Sequence, residues 1–198
     1  MTPIRLIAGL GNPGPEHEQD RHNAGFWFVD AVARAQAGSW RREARFFGEV
    51  ARVRIGADEV WLLKPGTYMN RSGQAVCALA RFHRIEREQI LVVHDELDLS
   101  PGTARLKRGG GSGGHNGLKD ISAALGGPDY ARLRIGIGHP RTLYPGREVI
   151  DFVLQRPSRA EQAGIDTALG AALAVVPLLT AGQWERAGQV LHTAPPAP

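Results

Sequence analysis

The sequence predicts an α/β protein with a mostly parallel sheet, on three observations. Apolar runs short enough for strands alternate along the chain with stretches of helical apolar spacing. Polar, chemistry-bearing residues fall in the turns that follow the strands, where open α/β sheets build their sites. The 198 residues are 42% hydrophobic and 22% charged, which excludes a mainly disordered chain and suffices for a core without staples.

Residues 4–10 form an apolar run that ends in Gly11-Asn12-Pro13-Gly14-Pro15, so a buried strand leads into a turn. Residues 23–37 carry helical spacing, with Asn23 in the N-cap position. Residues 46–55 and 60–64 read as strands around a Gly56-Ala57-Asp58 turn. Residues 69–83 are helical in pattern. Residues 90–93 are a compact apolar strand running into His94-Asp95-Glu96-Leu97-Asp98, and 103–107 are a further strand. A glycine-rich loop spans 109–117, and a helix follows to about Leu125. Residues 133–137 make a strand, and 149–154 are too short to assign. A long amphipathic helix covers 158–181 and a last one 183–191. Residues 1–192 are expected to form one domain, and the Pro-rich tail 193–198 to fray.

No apolar run approaches the ~20 residues of a membrane span, so no membrane partner is expected. The first ten residues read as a strand, without a signal-peptide cleavage pattern. Cys77 is the single cysteine, which rules out an internal disulfide and a cysteine-built zinc site and makes the cytoplasm the default location. The net charge is +4, and the only lysines are Lys64, Lys107 and Lys119. Arginine pairs bidentately with phosphate, so an anionic partner fits, nucleic acid included. The same charge also serves solubility.

Two literal motifs fail on context. Gly9-Leu10-Gly11-Asn12-Pro13-Gly14 matches a dinucleotide fingerprint. However, Pro13 and Pro15 remove amides that would hold pyrophosphate, and Glu16, Glu18 and Asp20 repel it. Gly110-Gly111-Ser112-Gly113-Gly114 matches a nucleophile elbow, but Ser112 sits among flexible glycines rather than between a strand and a helix. His22, Asp95 and His115 have ligand chemistry without metal-site spacing, and Glu96 and Asp98 suit a turn.

What remains is a polar constellation: Asn12 in the first turn, Arg21-His22-Asn23, Tyr68-Met69-Asn70, Asp95 after the central strand, and His115-Asn116. Taken singly, Asn23, Asn70 and Asn116 sit where N-caps belong, and Asn12 is a common residue before Pro.

Together these segments resemble the bacterial peptidyl-tRNA hydrolase family. The resemblance is carried by residues 9–14 (GLGNPG), 21–26 (RHNAGF), 64–73 (KPGTYMNRSG), 94–99 (HDELDL), 109–120 (GGGSGGHNGLKD) and 133–140 (LRIGIGHP). It implies a single three-layer α/β domain, with a twisted mixed, mostly parallel sheet flanked by helices. It further implies a cytoplasmic monomer that needs no cofactor and no metal. The implied reaction cuts the ester between a peptide and the 3′-terminal ribose of tRNA. Ester hydrolysis needs an activated water and a stabilised oxyanion. By the resemblance, His22 is the general base and Asp95 its carboxylate partner. Asn12, Tyr68, Met69, Asn70, His115 and Asn116 bind substrate, with Met69 and His115 lining the cleft and Asn70 or Asn116 facing the oxyanion. Lys107 and Arg134 clamp a tRNA phosphate, and Arg105, Arg108 and Lys119 are near enough in sequence to widen that patch. His17 stands where the family has tyrosine, and the 141–147 stretch is longer than typical. The rival readings are a non-catalytic RNA-binding relative of the same fold and a hydrolase of some other ester or amide.

Overall fold

The structure, a computed structural model, describes residues 2–193. Seven strands form one sheet in the order β2-β3-β4-β1-β5-β7-β6. They are β1 (Leu6–Gly9), β2 (Arg41–Glu43), β3 (Gly48–Ile55), β4 (Asp58–Pro65), β5 (Ile90–Glu96), β6 (Ala104–Arg108) and β7 (Ala131–Gly136). The central strands β4, β1, β5 and β7 are mutually parallel. Antiparallel pairing is confined to the two ends, at β2–β3, β3–β4 and β6–β7.

Strand period two sends alternate side chains to opposite faces. Both faces of the central strands are covered, which is why they read as continuous apolar runs. On one face Ile7, Leu91, Val93, Leu133 and Ile135 join a core with Phe28, Val32, Ile165, Ala172 and Leu191. These partners lie on α1 (Ala24–Ala35), α6 (Arg159–Thr180) and α7 (Trp184–Thr193). On the other face Leu6, Ala8, Leu63 and Val92 pack with Val76, Leu79, Leu118 and Ile121, from α2 (Ser72–Phe82) and α3 (Asn116–Ala124). Each fully buried Val, Leu, Ile or Phe side chain among these contributes roughly 1.5–3 kcal/mol. Two short helices, α4 (Pro140–Leu143) and α5 (Val149–Val153), fill the connection between β7 and α6.

Close backbone approach sets where the site lies. A Cβ on Gly9 would overlap the Gly25 carbonyl, and one on Gly25 would overlap Leu10 and the Val93 carbonyl. Only glycine at both positions lets α1 start directly against the carboxyl ends of β1 and β5. At the far edge the Leu106 N–H donates to His192 Nε2 at 2.9 Å, so α7 caps a backbone group the edge strand would leave open.

The differences from expectation have local causes. Phe46 belongs to a 3₁₀ turn, Ala44–Phe46, that leads into β3. β5 continues past Val93 to Glu96, because β7 pairs with His94, Asp95 and Glu96. β2 and α4 went unanticipated, being only three and four residues long. Residues 149–153 are helical. By length and composition α6 could cross a membrane, contrary to expectation. It instead carries a Ser158–Glu161 capping box and buries Ile165, Ala168, Ala172 and Val176 in the core. Of the expected tail, Thr193 closes α7, and 194–198 lie outside the described residues.

Candidate active site

Asp95, one residue before the end of β5, is buried between two histidines from different elements. His22 comes from a 3₁₀ turn, Arg21–Asn23, that enters α1. Its Nδ1 lies 2.9 Å from each Asp95 carboxylate oxygen. His115 Nε2 lies 2.9 Å from Asp95 Oδ1. The network assigns the protons. His115 Nδ1 accepts from the Gly117 and Leu118 N–H groups at 3.1 and 3.4 Å, so its Nε2 carries the proton and donates to Asp95. His22 donates from Nδ1, which leaves its Nε2 as a lone pair, unpartnered and open to the cleft.

Electrostatics follow from this packing. Burial opposes charge on His22, but the Asp95 carboxylate and its hydrogen bond outweigh it, and the His22 pKa is raised above 6.5. Burial favours the neutral form of Asp95, yet the two histidines hold its carboxyl well below the usual carboxylate range. His94 is buried behind them and donates from Nδ1 to the Asp95 carbonyl at 2.7 Å. Burial, with His115 and Arg132 adding to it, brings the His94 pKa down to about 3, so it stays neutral.

His22, Asp95 and His115 offer ligand atoms within 4.8 Å of one another, compact enough for a cation. While His115 caps α3 through Nδ1, its Nε2 has no lone pair to give a metal. The trio is therefore a hydrogen-bonded relay built around one carboxylate.

A cleft of about 450 Å³ joins His22, Asp95, His115 and Asn116. Its apolar wall is Val149, Ile150 and Val153, from the short helix α5 that sequence reasoning left unassigned. Asn12 lines an adjoining cleft of about 460 Å³ with Asn23. The Asn12 N–H donates to Asn23 Oδ1 at 2.8 Å, and Asn23 Nδ2 donates to the Asn12 carbonyl at 2.9 Å. The Met69 N–H donates to Asn12 Oδ1 at 2.8 Å. Asn12 is thus oriented with only its NH₂ group free.

Several expectations need correcting. Asn23 does stand at the N-cap position of α1, but its side chain makes no cap bond; it clamps the Asn12 turn, because both amide ends find the Asn12 backbone there. Asn116 is the first residue of α3, and His115 is the cap. Asn70 caps nothing, lying exposed inside a 3₁₀ turn, Met69–Arg71. Met69 does not line the His22 cleft: it is buried, with Gly117 and Leu10 packed against it. Tyr68 is 63% exposed beside it, outside that cleft.

Lys107 and Arg134 share one face of the β6–β7 pair with Arg105 and Arg132, as their register requires. Lys107 is exposed, and Arg134 meets Glu96 at 3.4 Å. Arg108 has the opposite parity and stacks on Trp184 at 4.8 Å, so it does not widen this patch. Two supporting residues, Arg132 and Glu161, escaped sequence reasoning, as did the role of Arg21. Arg132 is buried and donates to the Gly110 and Gly111 carbonyls at 2.7 and 2.6 Å, tying down one end of the glycine loop. Arg21, also buried, pairs with Glu161 at 2.9 Å and donates to the Phe152 carbonyl at 2.9 Å, anchoring the His22 turn to α5 and α6. Glu161 also accepts from Tyr144 Oη at 2.8 Å, which gives the long 141–147 stretch a structural role. Arg21 is visible in sequence only as the neighbour of His22; its partner is 140 residues away.

A family model described as peptidyl-tRNA hydrolase matches residues 6–197. The chain is 58% identical over 192 residues to a peptidyl-tRNA hydrolase of Bordetella avium, covering 97% of this chain and 93% of that one. It is 55% identical to one of Neisseria meningitidis serogroup C, covering 96% and 97% respectively. A crystal structure of peptidyl-tRNA hydrolase from Acinetobacter baumannii superposes with a TM-score of 0.92 at 47% identity, over 98% of this chain and 97% of that chain.

Proposed function

Since the chain belongs to the peptidyl-tRNA hydrolase family, we propose that it hydrolyses the ester between a peptide and the tRNA 3′-terminal ribose, with His22 as general base. The carrying observation is the His22 ring itself: Nδ1 is held by both Asp95 oxygens and Nε2 is open to the cleft. A water bonded to Nε2 gives up its proton as its oxygen attacks the ester carbonyl. Asp95 stabilises the resulting imidazolium without taking its proton. The tetrahedral intermediate collapses, the imidazolium returns the proton to the departing ribose oxygen, and tRNA and peptide separate.

Asn116 is the better-sited amide for the oxyanion. It shares the cleft with His22 and stands in the first turn of α3, where helix amides favour negative charge. The Asn12 NH₂ group holds a peptide carbonyl. Lys107 and Arg134 draw the tRNA phosphates, a grip that is steep in salt and indifferent to base. The enzyme works in the cytoplasm as a monomer, recycling tRNA from prematurely released peptidyl-tRNA.

The test is release of tRNA from an N-acetyl-aminoacyl-tRNA with EDTA present, comparing the parent protein with His22→Ala. Loss of the base lowers kcat about 10³-fold with KM little changed. Near-normal turnover by His22→Ala overturns the assignment of the base. Absence of parent turnover, with tRNA still bound, favours the non-catalytic RNA-binding relative.

A further inference from the structure

The cleft that adjoins the His22 cleft is bounded by the turn after β1, the start of α1 and the end of β4. Two independent features mark it as a binding site. The first is Asn12. Its side chain is more than nine-tenths buried, its Oδ1 is taken by Met69, and its backbone is locked by Asn23. Its Nδ2 donor has no partner and lines the cleft. That donor is accessible at the cleft, so a ligand carbonyl that meets it takes the place of water as its acceptor. The second is charge. The lining carries the carboxylates of Glu18, Asp30 and Glu49 against the single ammonium of Lys64. Lys64 already divides itself between Asp30 at 2.9 Å and Glu49 at 3.6 Å. Negative charge is left in excess, and Glu18 and the Glu49 side chain are open to solvent.

Sheet order gives the direction. At the carboxyl edge of the sheet β4, β1, β5 and β7 follow one another, spaced by about 4.8 Å. Asp95 lies next to the end of β5, and the basic face of β7 and β6 lies to one side of it. The acidic cleft lies to the other side, at β1 and β4. A polyanion is drawn to the first side and repelled from the second, so peptide rather than tRNA enters the acidic cleft. An extended peptide advances roughly 3.3 Å per residue and the β5-to-β4 span is about 10 Å, so the cleft meets about the third residue from the ester.

We propose that this cleft is a peptide subsite that selects a cationic side chain, lysine or arginine, near the third residue from the scissile ester, with Glu18 and Glu49 as specificity-determining residues. The proposal rests on the peptidyl-tRNA reading. Its test is a set of N-acetyl-Xaa-Ala-Ala-tRNA substrates, with Xaa lysine, norleucine or glutamate, at one fixed salt concentration. KM rises from lysine to norleucine to glutamate, about fivefold between the extremes as for exposed ion pairs, with kcat equal for all three. In a Glu18→Lys, Glu49→Lys protein the order of KM reverses. Should that protein fail to fold, the milder Glu49→Gln narrows the ratio of the extremes. Equal KM values in the parent protein overturn the subsite, and an unchanged order after charge reversal overturns its assignment to this cleft. Absence of turnover on all three substrates overturns the hydrolase reading beneath it.

Discussion

The two walls of the active cleft are held by different physics. On the β1 side, three hydrogen bonds of 2.8–2.9 Å among Asn12, Asn23 and Met69 leave the turn one arrangement. On the other side, the glycine loop is tied at its start, by Arg132 on the Gly110 and Gly111 carbonyls and by the Gly109 N–H on the Tyr130 carbonyl, while Gly113 and Gly114 have positive φ and open space around them. Beyond that loop the β6–β7 face offers charge. Hydrogen bonds weaken steeply with angle, whereas Coulomb attraction is tolerant of orientation and distance. On the proposed function, the first wall would hold geometry for the chemical step, and the second would collect a polyanion whose pose can vary.

Damage to the first wall falls on kcat. Asn23→Ala removes the clamp while leaving Asn12, His22 and Asp95 in the chain. A displacement of the order of 1 Å then costs about 10²-fold in kcat, with a smaller change in KM. Single-turnover rates at saturating substrate check this, and an unchanged rate would mean the turn holds itself. Damage to the second wall falls on binding. Lys107→Ala and Arg134→Ala each raise KM roughly tenfold on full-length substrate. Each also flattens the slope of log(kcat/KM) against log salt by about one. A short 3′-end fragment lacks the phosphates at issue and is spared; equal losses on fragment and full-length substrate would sink the clamp.

The smallest effect is on pH. With His22 as the proposed base its reactive form is neutral, and its pKa is raised above 6.5, so the expected kcat/KM climbs with pH through a limb centred above 6.5. His94, at about 3, contributes no step there. Asp95→Asn removes the dominant raising interaction and moves the limb to lower pH, while Lys107→Ala leaves it where it stands. A pH–rate profile of the three proteins separates these cases.

Legibility in the sequence followed the range of the interactions. The strand and helix pattern was readable because both faces of the central strands are apolar. The pairing of His22 with Asp95 came from the family resemblance of their segments, and the two side chains do meet at 2.9 Å. The parity that turns Arg108 away from Lys107 was also available, since Leu106 and Arg108 share a strand face. Asn23 was placed correctly before α1, but the partners of its side chain were not legible, because only the returning turn of Asn12 gives its amide a better pair than the helix amides. His115 displaced Asn116 as the cap for a similar reason: Asp95 holds one side of its ring and points the other at the helix amides.

By itself the sequence determined the alternation of elements, the placement of polar residues beyond strand ends, and the chemistry available there. These depend on side-chain identity and on periods of two and 3.6 residues, which are local. Tertiary structure alone decided which residues meet. Asp95 lies 73 residues from His22 and 20 from His115, and its carboxylate is forced between them by burial at the end of β5. The buried pairing of Arg21 with Glu161 and the acid excess beside Asn12 likewise exist only once β4, β1 and β5 lie side by side. A buried charge or amide takes whichever partner the packed backbone brings within hydrogen-bond reach, and sequence distance carries no information about that.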